Sequence, residues 1–126
     1  MQPVMKKNYT IQKSPFVVPT TDGKLIEEHF GNATDCNSQI SIAHMVVPSG
    51  WSEPFQTPHF DEYTYIIKGK KQFIIKDETV VLNAGESIKI NKNTRVQYSN
   101  PFKEECEYLA ICLPAFSIDL VNREES

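Results

Sequence analysis

The sequence has 126 residues and a formal net charge of -3, from 13 Lys and Arg against 16 Asp and Glu, and this length predicts one domain that buries a core. The basic residues are scattered among the acidic ones, so they create no positive field for phosphate backbones, and nucleic acid is excluded as an expected partner. No apolar run approaches the ~20 residues needed to cross a bilayer, so we expect no membrane partner.

The N-terminus and the cysteines indicate a cytoplasmic protein. Residues 1–8 lack the apolar core that a signal peptide places after its charges. The sequence has three cysteines, an odd number without paired spacing: Cys36, Cys106 and Cys112. This predicts free thiols in a reducing compartment. Cys112 lies within an apolar run, and we interpret it as a small core residue.

Residues 1–37 are predicted to form an N-terminal arm and edge strands. Two short β-prone pieces, residues 9–11 and 16–18, lie close to Pro15 and Pro19, and proline confines a strand to an edge or arm position. Residues 24–30 fit either a strand or a single helical turn, and the sequence does not decide between them.

Residues 38–114 are predicted to form the core of an all-β domain. Turn residues separate short segments of alternating polarity, and no amphipathic helix of useful length appears, which indicates an antiparallel sandwich or barrel. The predicted strands are 39–47, 62–67, 71–76, 79–82, 87–90, 95–99 and 107–113. Residues 115–126 form a C-terminal tail of the same domain, with one helical turn after a proline.

Strand alternation predicts which side chains share the interior. If Glu62 points inward, Thr64 does so too, because a strand directs every second side chain to the same face. The same rule places Tyr98 inside, and it places His44 on one face with three β-branched residues. We therefore expect His44, Glu62 and Tyr98 to meet in one cavity.

Two sequence blocks carry a family resemblance. Glu62 and Gly69 in the first block, and Gly85 and Asn100 in the second, have the spacing of two paired motifs. The spacing of these four residues resembles that of the two cupin motifs, and the resemblance covers residues 40–113. The resemblance implies a cupin-like antiparallel β-barrel, which is a double-stranded β-helix of the jelly-roll type.

The chain departs from the family at the metal ligands. The two histidines of the family's first block fall on Gln56 and Pro58, with His59 one place beyond, and the histidine of the second block falls on Val96. Of the four usual ligands, only Glu62 is retained. The metal of the family therefore does not carry over directly.

A metal site is nevertheless a hypothesis that the ligand types allow. His44, His59 and Glu62, with Gln56 as a fourth donor, would suit a divalent Mn, Fe, Ni or Zn ion with an open position. His59 is equally well explained as an exposed loop residue, since strand parity places it on the outer face.

The candidate catalytic residues are Glu62, His44 and Tyr98. An ionised carboxylate in an apolar barrel must be paired, hydrogen-bonded or bound to a cation, so Glu62 is a metal ligand or general base. His44 is a ligand, an acid-base partner or a satisfied core histidine, and Tyr98 either orients substrate or only packs. The candidate substrate-binding residues are Trp51, Gln56, Thr64 and Tyr98, with Trp51 either over the barrel mouth or outside the core.

These observations predict a small-molecule-binding cupin. One hypothesis is a metal-dependent enzyme of the isomerase, lyase or dioxygenase type, and the alternative is a non-catalytic binding or regulatory module that has lost its metal. Whether the protein is an enzyme stays open at this point. The Pro-rich arm and the outward side chains Tyr63, Tyr65 and Ile67 would leave apolar surface exposed, which predicts a homodimer.

Overall fold

The secondary structure is almost entirely β. The structure is a computed structural model that describes residues 8–125. Its elements are β1 (Phe16–Val17), β2 (Leu25–Phe30), β3 (Ser41–Val47), β4 (Trp51–Ser52), β5 (Asp61–Lys68), β6 (Lys70–Ile75), β7 (Glu78–Asn83), β8 (Ser87–Ile90), β9 (Val96–Asn100), β10 (Cys106–Leu113) and α1 (Ile118–Val121). The predicted all-β class is therefore confirmed.

The strands form two antiparallel sheets around one core. The larger sheet has the order β1-β2-β3-β10-β5-β8, and the smaller has the order β4-β9-β6-β7. Val47 and Ile66 of the larger sheet and Phe73 and Val96 of the smaller sheet are fully buried and belong to the same apolar cluster. The core thus lies between the two inner faces, as in a jelly-roll barrel.

Most predicted strands are present, with three local differences. Residues 25–30 form a strand and not a helical turn, because Leu25 and Glu27 pair with Val46 and His44 of β3. Residues 9–11 form no strand, and the short strand β4 was not predicted. Residues 1–7 of the predicted arm lie outside the described residues.

The predicted helical turn in the tail is α1. The Ser117 hydroxyl accepts a hydrogen bond from the Asp119 amide and caps the start of α1. No helix among residues 8–125 is long and apolar enough to cross a membrane.

Gly69 makes the tight connection between β5 and β6. Its φ of 80° lies in the left-handed region, and a Cβ added there would collide with the Glu105 carbonyl oxygen and lie 3.2 Å from the Cys106 Cα. Gly85 has a similar φ of 88°, yet a Cβ at Gly85 would meet nothing within 4 Å. Only Gly69 is therefore required both by its conformation and by close backbone packing.

Candidate functional site

A cavity of about 410 Å³ lies between the two sheets. Its wall from the larger sheet consists partly of small side chains, Ser41, Ala43 and Ala110, and these leave the space that larger side chains would fill. The volume lies within the range of ~300–1,000 Å³ typical of small-molecule sites. Segments near both ends of the described chain, including Thr20 and Phe116, complete the walls.

Glu62 and Tyr98 form a hydrogen-bonded pair at the cavity. Glu62 lies at the start of β5 and Tyr98 in β9, and the Tyr98 hydroxyl donates to Glu62 Oε1. The thiol of Cys112 lies 3.9 Å from Glu62 Oε2. Burial raises the pKa of the Glu62 carboxyl, although the charge of Lys71 and the Tyr98 hydrogen bond oppose that shift. Burial also raises the pKa of Tyr98 well above its usual range, so Tyr98 keeps its proton and remains the donor.

Lys71 of β6 places an amine beside this pair. The side chain lines the cavity, only 2% of the residue is exposed, and its Nζ lies 3.6 Å from the ring centroid of Tyr108 and 4.7 Å from that of Tyr98. The side chain of Lys71 forms no hydrogen bond and no ion pair within residues 8–125. Burial lowers the pKa of Lys71 to about 8, against the opposing attraction of Glu62. The amine is therefore stabilised by aromatic faces and by the field of two carboxylates, Glu62 and Glu53.

A second polar network lies on the cavity wall around Glu53. Lys24 forms ion pairs with Glu53 and, at 3.1 Å, with Asp22. The Trp51 indole donates to Asp22 Oδ2 at 2.9 Å, and the Gln56 amide donates to Glu53 Oε1 at 3.2 Å. Burial disfavours the Asp22 charge, but the hydrogen bonds from Trp51 and Lys24 hold the Asp22 pKa below its usual value.

The prediction that His44 faces the cavity is wrong. Residues 41, 43 and 45 of β3 line the cavity, so His44 lies on the outer face of the larger sheet. Its Nδ1 lies 2.8 Å from Glu27 Oε1 and its Nε2 lies 2.6 Å from Glu107 Oε2. The two carboxylates explain the histidine without a ligand, and His44 is removed from the candidate catalytic and metal-binding residues.

This arrangement predicts a pH-dependent stability. Hydrogen bonding to Glu107, and then to Glu27, raises the pKa of His44 despite its partial burial. The two carboxylates stabilise the folded protein by binding protonated His44. This contribution to stability is therefore complete below the ordinary histidine pKa of ~6.5 and is lost as the pH rises through the elevated pKa of the folded state. Because all three side chains are partly exposed, we expect His44→Gln to cost about 0.5–1 kcal/mol at mildly acidic pH.

The measurement is thermal unfolding of wild type and His44→Gln across the pH range. The difference in stability between the wild type and His44→Gln should become smaller as the pH rises. The control is His59→Gln, because exposed His59 faces only the neutral Asn93, at 2.7 Å. A deficit of His44→Gln that does not vary with pH would contradict the assignment.

The structure does not bring the four predicted metal ligands together. Gln56 and Glu62 line the cavity, His44 lies on the outer sheet face and His59 is exposed beside Asn93. Among residues 8–125, no group of three or more His, Cys, Asp or Glu residues is placed to hold a metal ion. The cavity instead sets the Lys71 amine beside Glu62, and a cation does not suit a metal site. The residues therefore do not fit the metal that the family resemblance implied.

The predicted substrate-binding residues are mostly at the cavity. Trp51, Gln56 and Tyr98 line it, which favours the interior position of Trp51 over the alternative outside the core. Thr64 also points inward but is fully buried in β5 behind the cavity lining. Its hydroxyl has no hydrogen-bond partner in the part of the chain that the structure describes.

Sequence reasoning missed two charged groups of the site. Lys71 follows a Gly-Lys turn, which is typical of a surface residue. It lies two residues before the fully buried Phe73 in the same strand, however, so both side chains point to the same, inner face. Glu53 follows a serine and precedes a proline, which gives no sign of burial, yet its side chain is only 10% exposed and is bound by Lys24 and Gln56. No local pattern around Glu53 predicts these partners.

The two sheets and the space between them define a jelly-roll barrel with an internal cavity. Residues 43–112, more than half of the chain, match the cupin domain family, so the protein belongs to the cupins. The family resemblance seen in the sequence is thereby confirmed.

A curated relative covers most of this chain. The sequence is 37% identical over 108 residues to the endoribonuclease YbeY of Myxococcus xanthus (strain DK1622), a match that covers 86% of this chain and 37% of that protein. The chain thus spans little more than a third of the length of this relative.

Solved structures share the fold at low sequence identity. A RmlC-like cupin from Shewanella frigidimarina matches with a TM-score of 0.71 at 14% identity, over 91% of this chain and 96% of that one. The EutQ protein of Clostridium difficile matches with a TM-score of 0.62 at 22% identity, over 75% and 70%. A predicted oxalate decarboxylase from Thermotoga maritima matches with a TM-score of 0.64 at 19% identity, over 80% and 92%. These likenesses establish the fold alone.

Proposed function

We propose that this cupin binds a small neutral organic molecule in its cavity and uses Glu62 for proton transfer without a metal ion. The observation that carries the proposal is the Glu62 carboxylate, which faces the cavity, accepts a hydrogen bond from Tyr98 and lies in the field of Lys71. Glu62 is the family's metal-binding position in this chain. Here its hydrogen-bond partners are the Tyr98 hydroxyl and the Cys112 thiol, and the charge of Lys71 acts on it without direct contact.

The charges around the cavity favour a neutral ligand. Lys24 is already paired with Glu53 and Asp22, and Arg123 lies 3.5 Å from Glu53. Lys71 and Glu62 have opposite charges and offset each other. A charged ligand would therefore have to compete with the ion pairs that Lys24 already makes, and its desolvation would be only partly offset.

The chemistry that these groups support is proton transfer. A carboxyl group whose pKa is raised by burial accepts and returns protons closer to neutral pH than an exposed carboxyl does. Tyr98 holds one carboxylate oxygen in place, and the Lys71 ammonium stabilises negative charge that develops on a substrate. This is the acid-base step that isomerases and lyases use.

The alternative is a non-catalytic binding or regulatory module. It is favoured by the network of Asp22, Lys24, Glu53, Trp51 and Gln56, in which the polar groups satisfy one another and none is left to react. Such a wall recognises a ligand by shape and by apolar contact. The two functions share the binding step and differ only in the role of Glu62.

The binding step predicts a fluorescence response. Trp51 is the single tryptophan and lines the cavity, so its emission reports occupancy. We expect some members of a panel of small neutral aldehydes, ketones and alcohols to change the emission. Glu62→Gln should weaken their binding about tenfold, which is ~1.4 kcal/mol.

The matched control is Glu78→Gln, which removes the same charge from an exposed position of β7. It should leave binding unchanged. Binding that requires an added divalent ion would contradict the metal-free proposal, and equal weakening by both substitutions would contradict the role of Glu62.

Deuterium exchange separates the enzyme from the binding module. In D₂O, a substrate of the proposed enzyme should exchange a C–H proton with solvent, as seen by NMR, and Glu62→Gln should abolish that exchange. Binding without exchange would instead support the non-catalytic module.

We also propose a cytoplasmic homodimer. Tyr63, Tyr65 and Ile67 of β5 are 40%, 46% and 40% exposed on the outer face of the larger sheet, an apolar surface that a second copy would cover. The free thiols Cys36, Cys106 and Cys112 fit a reducing compartment. Light scattering should give twice the 14.4 kDa chain mass, and Tyr65→Glu should lower it; a wild-type monomer at micromolar concentration would refute the dimer.

A further inference from the structure

We propose that Lys71 is a covalent binding site, at which its ε-amine forms an imine with the carbonyl carbon of a small neutral aldehyde. The inference rests on the proposed function, since it requires that the cavity admits a small organic molecule. It goes further by naming the attacking atom and the chemical class of the ligand.

The first support is the isolation of the amine. Only 2% of Lys71 is exposed, and its side chain lines the cavity and forms no hydrogen bond or ion pair within residues 8–125. A buried lysine that serves structure alone is normally paired. Lys24, the other lysine of the cavity, is of that paired kind, because it binds both Glu53 and Asp22.

The second support is the surroundings of the Nζ atom. The rings of Tyr108, Tyr98 and Phe73 lie with their centroids 3.6, 4.7 and 5.1 Å from it, so water has little access to one side of the amine. Burial also lowers the pKa of Lys71 to about 8, which increases the fraction of free amine near neutral pH. Desolvated lysines of this kind are suited to imine formation.

The reaction balances without a cofactor or a redox partner. The nitrogen lone pair attacks the carbonyl carbon, and the carbonyl electron pair moves to oxygen, which takes up a proton. The nitrogen then loses one proton, the hydroxyl takes up a second proton and departs as water, and the C=N bond forms as an iminium, which loses its remaining N–H proton to give the imine. Glu62, held in place by the hydrogen bond from Tyr98 at the same cavity, accepts and returns these protons.

Reductive trapping tests the assignment. Wild-type protein is incubated with propanal and sodium cyanoborohydride, which converts an imine to a stable N-propyl lysine, and peptide mass mapping then locates the propyl group. We expect Lys71 to be modified at least tenfold faster than the average surface lysine. Trp51 emission is followed in parallel as a readout of cavity occupancy.

Two arginine variants provide a matched comparison. Lys71→Arg keeps the positive charge but removes the nucleophilic amine, and it should abolish the fast modification. Lys70→Arg changes the neighbouring exposed residue of β6, on the opposite face, and should leave that modification unchanged. Mapping of the wild-type protein needs neither variant, so a variant that fails to fold does not decide the result.

Three outcomes would overturn the inference. Modification spread evenly over the surface lysines would exclude a special role for Lys71. Faster trapping of the anion glyoxylate than of propanal at Lys71 would exclude the neutral class. A Trp51 response to propanal without modification of Lys71 would exclude the imine yet leave the proposed binding function standing, whereas the loss of both signals would overturn the two together.

Discussion

Gly69→Ala should lower the free energy of unfolding by about 3 kcal/mol. The substitution imposes a left-handed φ of 80° on a residue with a Cβ, and it drives that Cβ into the backbone at Glu105 and Cys106. Each of these effects costs roughly 1–3 kcal/mol. Glu105 and Cys106 lie where β10 begins, and their backbone atoms cannot rotate away as a flexible side chain would.

Gly85→Ala is the matched control. Its φ of 88° imposes the same conformational strain, but the added Cβ meets nothing within 4 Å. We expect a loss of about 1 kcal/mol from strain alone. Urea denaturation of both variants measures the difference, and equal losses would show that the contact with Glu105 costs nothing.

The second large effect is expected in the coupling between Glu62 and Lys71. Either Glu62→Gln or Lys71→Met leaves one buried charge without its partner, whereas the double variant removes both charges and keeps similar side-chain volumes. Paired replacement of buried charges is often neutral or stabilising. If the two single changes in the free energy of unfolding were additive, their sum would give the stability of the double variant. We expect the double variant to be more stable than this sum by about 2 kcal/mol.

The measurement is a double-mutant cycle from chemical unfolding near pH 7. The coupling should fall as the pH rises through about 8, because Lys71 loses its charge there. The control cycle pairs Lys71→Met with Glu78→Gln, which is exposed and remote from the cavity, and should be additive. Additivity in the Glu62 cycle would mean that the two groups do not interact.

Strand parity correctly placed Glu62 and Tyr98 at the cavity from sequence. On β5 and β9 the pattern is unambiguous, since exposed Tyr63 and Tyr65 alternate with Glu62 and Thr64, and Tyr98 follows Val96 inside. The turn residues likewise predicted most strand boundaries. Both patterns come from residues that are close together in the sequence, so a single sequence is enough to detect them.

Parity failed on β3 because both of its faces are apolar. The face with Ile42, His44 and Val46 is the more hydrophobic, but the side chains directed to the cavity are the smaller ones, Ser41 and Ala43. Large side chains would fill the cavity, so the face of β3 that lines it carries smaller residues. The more hydrophobic face of β3 is therefore the outer one, and a prediction based on hydrophobicity chooses the wrong face. The carboxylates that bind His44 come from β2 and β10, which no local pattern reveals.

The cavity walls near the chain ends have a thermodynamic consequence. Residues 18–22, near one end of the described chain, and Phe116, Ile118 and Arg123, near the other, line the cavity. The tail is held there by backbone hydrogen bonds such as that from the Glu124 amide to the Phe55 carbonyl oxygen. A ligand that contacts these segments gains binding energy only while they are docked. Docking of the tail and occupation of the cavity are therefore linked equilibria, and each stabilises the other by the same free energy.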